Sequence, residues 1–493
     1  MHNITSQTSP LHHILSENAF SKKCPSSSSF SSSFLNPISH QQEMASKQQV
    51  GYKCRIAAVL ILLLSSIAAL VAVAVIQDSW AAREYSLEYG IVIDAGSSRS
   101  NVYLYEWPGE KENETGVVTE IMNCRVAGES HAQDEPTAGM RLIHEQDEQR
   151  SNEIMASVRQ YLKSLPFAFK NASIITGQEE GLYGWVTVNY LMGNFIHKNL
   201  WNAYVRPEGA MTVGSMDLGG ASTQIAFAVQ EDLAGPDYMH VKLYGYPYNI
   251  YTHSYLCYGK NEAEKRVLDK VLQESSDPAY VINPCYPKGF NITTKASTIY
   301  NTECTKKPKN YDPEHEFLMV GASDSDTCER LVKSIFDFKT CSSPQCSFDG
   351  VEQPPVTGDF KAYAGFFYIA RSIRLRSKLC FSSSQLRKEK MWISARYLKT
   401  YCFAAHYVFA LLADGYKFNK ENWKNIDFTQ EVKSTSVGWS LGYMLTMSNM
   451  IPSEVKKIPP MSNPVFAGLI FLFSALTIVT VIFVFIILIR TCY

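Results

Sequence analysis

The sequence predicts an α/β ectodomain of two lobes, carried between two transmembrane helices. Three observations predict it. Charge-free apolar runs lie near both ends, at Ile56–Ile76 and Val465–Ile489. Two units of strand, aspartate, small loop and strand begin at Ile91 and Val213. A polar turn with paired glutamates, Gly177-Gln-Glu-Glu-Gly181, lies between those units. The composition agrees: 493 residues, 46% hydrophobic and 19% charged, suit a globular chain of roughly three domains and exclude wholesale disorder. A net charge of −1 argues against a partner recognised by bulk charge, nucleic acid above all.

Residues 1–55 read as a cytoplasmic tail. Ser21–Ser33 is serine-rich and cannot form a core, and Met44 offers an alternative start. A phosphorylated, regulatory tail is the functional alternative. Residues 56–76 and 465–489 then form the two spans, since a bilayer core about 30 Å thick needs roughly 20 helical residues. The 55 residues before the first run disfavour a signal peptide. Lys47, Lys53 and Arg55 precede that run and Asp78 follows it, which predicts a cytoplasmic N-terminus and an outer segment of residues 77–464. Residues 490–493 form a second cytoplasmic tail. Sequons at Asn113, Asn171 and Asn291 and nine of the twelve cysteines fall in the outer segment, as an oxidising exterior predicts. Nine is odd, so at least one cysteine there lacks an intrachain partner.

The chemistry begins at Ile91. Ile91-Val-Ile-Asp94 reads as a strand ending in an acid, Gly96-Ser-Ser98 as a tight donor-rich turn, and Val102–Tyr105 as an alternating strand. Gly96 lets backbone N–H groups approach a phosphate, and Ser97 and Ser98 add hydroxyls. Val213–Phe227 repeats the plan, with Asp217, Gly219, Gly220, Ser222 and Thr223 in the matching places. Either unit alone could be an ordinary hairpin. Together they offer one loop from each lobe to opposite sides of a polyphosphate, and each aspartate can hold a hydrated divalent cation. Between them a strand, Ile174-Ile-Thr176, runs into the glutamate pair and a helix bearing Leu182, Trp185, Val186 and Val188. Glu179 or Glu180 can take a proton from an attacking water there, or can simply favour a helix N-terminus. No Gly-x-x-x-x-Gly-Lys-Ser/Thr, His-Glu-x-x-His or Gly-x-Ser-x-Gly motif occurs. His253 reads as a structural hydrogen-bonding residue.

Five motifs in order carry a resemblance: Asp94-Ala-Gly-Ser-Ser-Arg99; Thr137-Ala-Gly-Met-Arg141; Gly177-Gln-Glu-Glu-Gly-Leu-Tyr-Gly-Trp185; Asp217-Leu-Gly-Gly-Ala-Ser-Thr223; and Gly438-Trp-Ser-Leu-Gly-Tyr-Met-Leu445. Over about residues 85–455 the chain resembles the ecto-nucleoside triphosphate diphosphohydrolases, the CD39 or apyrase family, of the type anchored at both ends. The resemblance implies an actin/Hsp70/sugar-kinase-like, ribonuclease H-like fold. It implies N-terminal and C-terminal lobes at 77–210 and 211–435, and a return segment and stalk at 436–464. It further implies a multi-pass plasma-membrane protein that hydrolyses extracellular ATP, ADP, UTP and UDP with Ca²⁺ or Mg²⁺, modulates purinergic signalling and can form homo-oligomers through its helices. By motif, Glu180 is the implied general base. Ser97, Ser98, Gly219, Gly220, Ala221 and Ser222 line the phosphates. Asp94 and Asp217 position the hydrated metal, Ser222 helps orient the water, and Arg141 supports the site. Tyr368 and Tyr416 match positions that stack on the nucleobase. The implied disulfides are Cys257–Cys304, Cys285–Cys328, Cys341–Cys346 and Cys380–Cys402.

Two departures from the family stand out. Only 29 residues separate Trp107 from Thr137, where the family has a longer connection with a helix, a cysteine and a strand. His131-Ala-Gln-Asp-Glu-Pro136 cannot replace a central strand. The N-terminal lobe is therefore read as shortened, with the partner of Cys124 in the absent stretch. The second departure is the basic segment Arg371–Lys399, read as a solvated surface or as a site for anionic headgroups or glycans. Both fit a splice variant or an imperfect gene model, and the alternative function is a nucleotide-binding ectodomain with impaired catalysis.

Overall fold

The computed structural model describes residues 37–81, 86–96, 100–126, 137–200, 203–209, 211–231, 233–277, 279–341, 343, 345–373, 380, 399–453 and 461–492. Ser97, Ser98 and most of the basic segment lie outside these residues. Helix α1 (Pro37–Ala81) leads into an antiparallel meander of β1 (Leu87–Ala95), β2 (Ser100–Pro108) and β3 (Thr119–Arg125). Helices α2 (Thr137–Gln146), α3 (Glu148–Lys163) and α4 (Gly177–Met192) follow, then the short pair β4 (His197–Lys198) and β5 (Tyr204–Val205). Next come β6 (Gly214–Leu218), β7 (Ser222–Val229), β8 (Tyr238–Leu243), β9 (Tyr246–Leu256) and α5 (Lys260–Gln273). A side sheet is formed by β10 (Tyr280–Asn283), β11 (Asn291–Lys295) and β12 (Glu316–Gly321), with α6 (Ala296–Tyr300) and α7 (Ser325–Lys333) around it. The chain finishes with β13 (Phe360–Ala364), α8 (Gly365–Ile373), α9 (Tyr401–Ala410), β14 (Ile426–Phe428), the hairpin β15 (Glu431–Val432) and β16 (Thr435–Ser436), α10 (Trp439–Ser448) and α11 (Asn463–Cys492).

Two compact units result, residues 82–458 and the terminal stretches 1–81 and 459–493. In the terminal unit, α1 and α11 contain apolar stretches long enough to cross a bilayer, Tyr52–Gln77 and Asn463–Arg490. They pack on each other, and Thr477 donates to Ser66 at 2.9 Å at their contact. Helix α1 begins at Pro37, inside the segment read as a tail. Extending an existing helix through Gln41–Gln49 adds no new nucleus, and Gln, Glu, Met, Ala and Lys there are good helix formers.

Unit 82–458 is a mixed α/β assembly built in layers. The six-stranded sheet has the order β14-β13-β6-β7-β9-β8, with β13 parallel to β6 and β14 and the remaining pairs antiparallel. Strand β7 is buried on both faces. Ile225 and Phe227 enter a core with α5, α7, α8 and α9, while Ala226 enters a second core with α4 and α10. Val92, Tyr105 and Trp107 of the meander close that second core from the far side. Helix α10 is thus held between α4 and the meander. Gly442 makes this possible: a Cβ there would lie 1.9 Å from the Tyr183 carbonyl oxygen.

The expected strand at Ile174–Thr176 does not form; residues 168–176 carry no strand pairing. A strand needs a neighbour to satisfy its N–H and C=O groups, and β1 pairs only with β2 among the described residues. The Thr137–Arg141 motif is the first part of α2. All four implied disulfides are present, Cys257–Cys304, Cys285–Cys328, Cys341–Cys346 and Cys380–Cys402, and Cys124 is a free, exposed thiol. Asn113, Asn171 and Asn291 are all exposed.

Candidate active site

The site forms where the first turn of α4 meets β6 and β7. Thr176 caps α4, and its hydroxyl accepts from the Glu179 N–H at 3.1 Å. The Glu179 carboxylate reaches back to the Thr176 N–H at 2.8 Å and hydroxyl at 3.0 Å, completing a capping box. That contact occupies Glu179 as a structural cap. Glu180, one residue on, points elsewhere because successive helical side chains diverge by about 100°. Its Oε2 accepts from Arg141 Nη2 and from Gln224 Nε2, the latter at 2.9 Å. The paired glutamates therefore have two different jobs.

A polar network surrounds Glu180. Arg141 Nη2 donates to Ser222 Oγ at 3.1 Å and Nη1 to Ser254 Oγ at 3.4 Å. Gln224 Nε2 lies 2.7 Å from Ser222 Oγ and 2.9 Å from Ser254 Oγ. Arg141 Nε is buried and has no partner among the described residues. Gln224, Ser254 and Trp439 were not among the expected site residues. Gln224 was within reach of sequence reasoning, because it stands two residues beyond Ser222 and alternate strand residues share a face. Ser254 joins only through the register that sets it opposite Gln224.

The loop between β6 and β7 is held by α5. Lys260 N–H donates to the Gly219 carbonyl at 2.9 Å, and Asn261 N–H to the Gly220 carbonyl at 2.8 Å. A trans peptide points its N–H opposite its carbonyl, so the Gly220 and Ala221 N–H groups face away from α5. Gly259 must lack a side chain for this approach, since its Cβ would sit 2.3 Å from the Ala221 nitrogen. Thr223, expected to offer its hydroxyl to the loop, instead donates to the Asp217 carbonyl at 2.7 Å and lies 3.0 Å from the Tyr416 hydroxyl.

Asp94 is the penultimate residue of β1 and Asp217 the penultimate residue of β6. Asp94 Oδ1 accepts from Trp439 Nε1 at 3.1 Å, which ties the first motif to the fifth. Burial pushes the Asp217 carboxyl well above its usual range, and the charges of Glu180 and Asp94 push it the same way. Tyr363, opposite Asp217 in the register, is likewise raised by burial and then by Asp217 and Glu180. Asp217 thus feels the negative charge of both other acids, and repulsion of this kind is what a hydrated divalent cation relieves. His253 pairs with Asp237 at 2.7 Å, a structural contact as expected.

Tyr368 is half exposed on α8. Tyr416 is fully buried and packs near Tyr255 and Phe348, so its ring presents no face to solvent. The structure does not bring the two tyrosines to one open surface. Tyr416 follows the π turn at Leu411–Gly415, and its side chain lies in the core.

The GDA1/CD39 (nucleoside phosphatase) family model matches residues 81–136 and 129–460. Ectonucleoside triphosphate diphosphohydrolase 3 of Homo sapiens is 43% identical over 470 residues, covering 84% of this chain and 89% of that protein. Ectonucleoside triphosphate diphosphohydrolase 1 of Mus musculus is 37% identical over 446 residues, covering 80% and 87%. A crystal structure of nucleoside triphosphate hydrolases from Neospora caninum aligns with a TM-score of 0.48 at 14% identity, over 76% of this chain and 95% of that one. The family model spans both aspartate turns, Glu180 and Trp439, and from that match and the 43% identity it follows that the chain belongs to the GDA1/CD39 (nucleoside phosphatase) family.

Proposed function

We propose that this protein removes the terminal phosphate of nucleoside triphosphates and then of diphosphates outside the cell, each hydrolysis releasing one phosphate and the sequence ending at the monophosphate. ATP, ADP, UTP and UDP are the proposed substrates, and control of purinergic signalling the consequence. Membership of a nucleoside phosphatase family supports the hydrolysis in general. The single observation that carries the mechanism is the placement of Glu180 among Arg141, Gln224 and Ser222, beside the raised Asp217.

In this reading Glu180 takes a proton from water as the water oxygen bonds to the terminal phosphorus. The bond from that phosphorus to the bridging oxygen breaks, and the departing nucleotide keeps the electron pair. Gln224 and Ser222 orient the water. The N–H groups of Gly220 and Ala221, with Ser97 and Ser98 from the other turn, hold the phosphate oxygens. Asp94 and Asp217 would hold a Ca²⁺ or Mg²⁺ ion through its hydration shell, and that ion supplies charge neutralisation of the polyphosphate. Tyr368 offers a face for the base. The cysteine and sequon distribution supports an extracellular placement of unit 82–458, with both termini cytoplasmic.

Phosphate release from ATP and ADP on intact expressing cells tests this reading. Activity is expected to vanish with EDTA and in Glu180→Gln, with surface delivery unchanged. Wild-type turnover by purified Glu180→Gln would remove Glu180 from the mechanism. One observation favours a second reading, a nucleotide-binding ectodomain with slow turnover: Arg141 contacts the same carboxylate oxygen that the base would use. Under that reading nucleotide binds while phosphate release stays at background in the wild type.

A further inference from the structure

The meander β1–β3 has two unequal faces. Its inner face buries Val92, Tyr105 and Trp107. Among the described residues its outer face is apolar and open: Leu87 is 48% exposed, Tyr89 57%, Ile91 45%, Ile93 41%, Met122 52% and Val126 48%. The register gathers them. Ile91 faces Leu104, which faces Met122; Ile93 faces Val102, which faces Cys124. The free thiol of Cys124 therefore lies within the patch. Glu106, opposite Tyr89, is the acid at its margin. These side chains expose roughly 600 Å², the upper end of what a monomer leaves uncovered.

We propose that this face is the surface through which two copies of the chain pair. The adjoining residues 127–136 hold no large apolar side chain. A face with so little charge meets its own copy without repulsion, and a two-fold pairing is self-complementary. Two such faces would bury about 1,200 Å², the lower bound of a stable interface. Anchoring both copies in one bilayer raises their effective concentration. Stacked sheets lie about 10 Å apart, whereas a disulfide needs Cα atoms about 5.5–6 Å apart. Cys124 is thus shielded in the pair rather than bridged.

The test uses the full-length chain, fluorescently tagged, on intact cells. Photobleaching steps count copies per assembly, and a membrane-impermeant maleimide reads Cys124, with Cys124→Ser as the zero. The expected wild type shows two steps and slow labelling. Tyr89→Lys with Met122→Lys is expected to speed labelling at least tenfold. One-step wild-type assemblies would overturn the proposal, even with Cys124 protected, because lipid or an unrelated partner would then cover the face. Two-step assemblies with rapid labelling would also overturn it, since the copies would then pair elsewhere. A non-reducible dimer is expected on gels to be absent and a Cys124-dependent disulfide dimer likewise; finding the latter would exclude the stacked geometry. The wild-type measurements decide the matter even if the double variant fails to reach the surface.

Discussion

At the scale of single residues, two adjacent acids with the same side chain are separated by what they touch. Glu179 closes a capping box on Thr176, and Glu180 faces Arg141 and Gln224. Glu180→Gln is expected to lower the turnover rate by about 10² to 10⁴, the usual contribution of a positioned base. Glu179→Gln is expected to keep turnover and to cost about 1 kcal/mol or less, as measured by thermal unfolding. Equal loss of rate in both variants would contradict the division. The tyrosines make a second contrast. Tyr368→Ala is expected to raise KM for nucleotides by roughly tenfold, in line with a lost base–aromatic stack. Tyr416→Phe is expected to leave KM unchanged and to cost about 1 kcal/mol of stability, because it removes only the contact with Thr223.

At the scale of elements, α4 depends on glycines that let it lie against the six-stranded sheet. A Cβ on Gly181 would meet Thr252 Oγ1 at 2.3 Å, and that hydroxyl donates to the Gln178 carbonyl at 3.0 Å. Gly181→Ala is expected to cost about 1–3 kcal/mol through displacement of α4, with a drop in turnover because Glu180 moves with the helix. Adding Thr252→Ala is expected to recover part of the melting temperature. Helix α4 is legible in the sequence: Thr176 and Glu179 have capping-box spacing, and Leu182, Trp185 and Val186 supply its apolar faces. Residues 174–176 are strand-like in composition, yet pairing, not composition, decides a strand, and no strand pairs with them among the described residues. Ser254 and Tyr416 were beyond reading because their surroundings come from elements distant in the chain. The aspartate turns were readable because a local alternation of strand, acid and glycine encodes each one.

At the scale of the whole molecule, the larger core tolerates one buried imidazole. His406 lies 3.0 Å from Ser325 Oγ, and burial lowers its pKa below 6.5, against weaker opposing pulls from Glu329 and Asp326; Lys333 reinforces the lowering. A depressed histidine contributes stability that is present above its ordinary value and is lost as pH falls through its folded value. The melting temperature is therefore expected to fall as pH is lowered from 7.5 toward 5, and His406→Gln is expected to flatten that decline. A wider consequence follows from the bond between Asp94 and Trp439, which joins positions 345 residues apart. Tyr105 and Ser440 meet 2.9 Å apart across a similar span. A nascent chain halted before Trp439 would already contain Asp94, Glu180 and Asp217 and still lack the helix that seats the first strand. The ribosome must deliver almost the entire polypeptide before this candidate site can close, leaving the early segments to wait, half-covered, for the last.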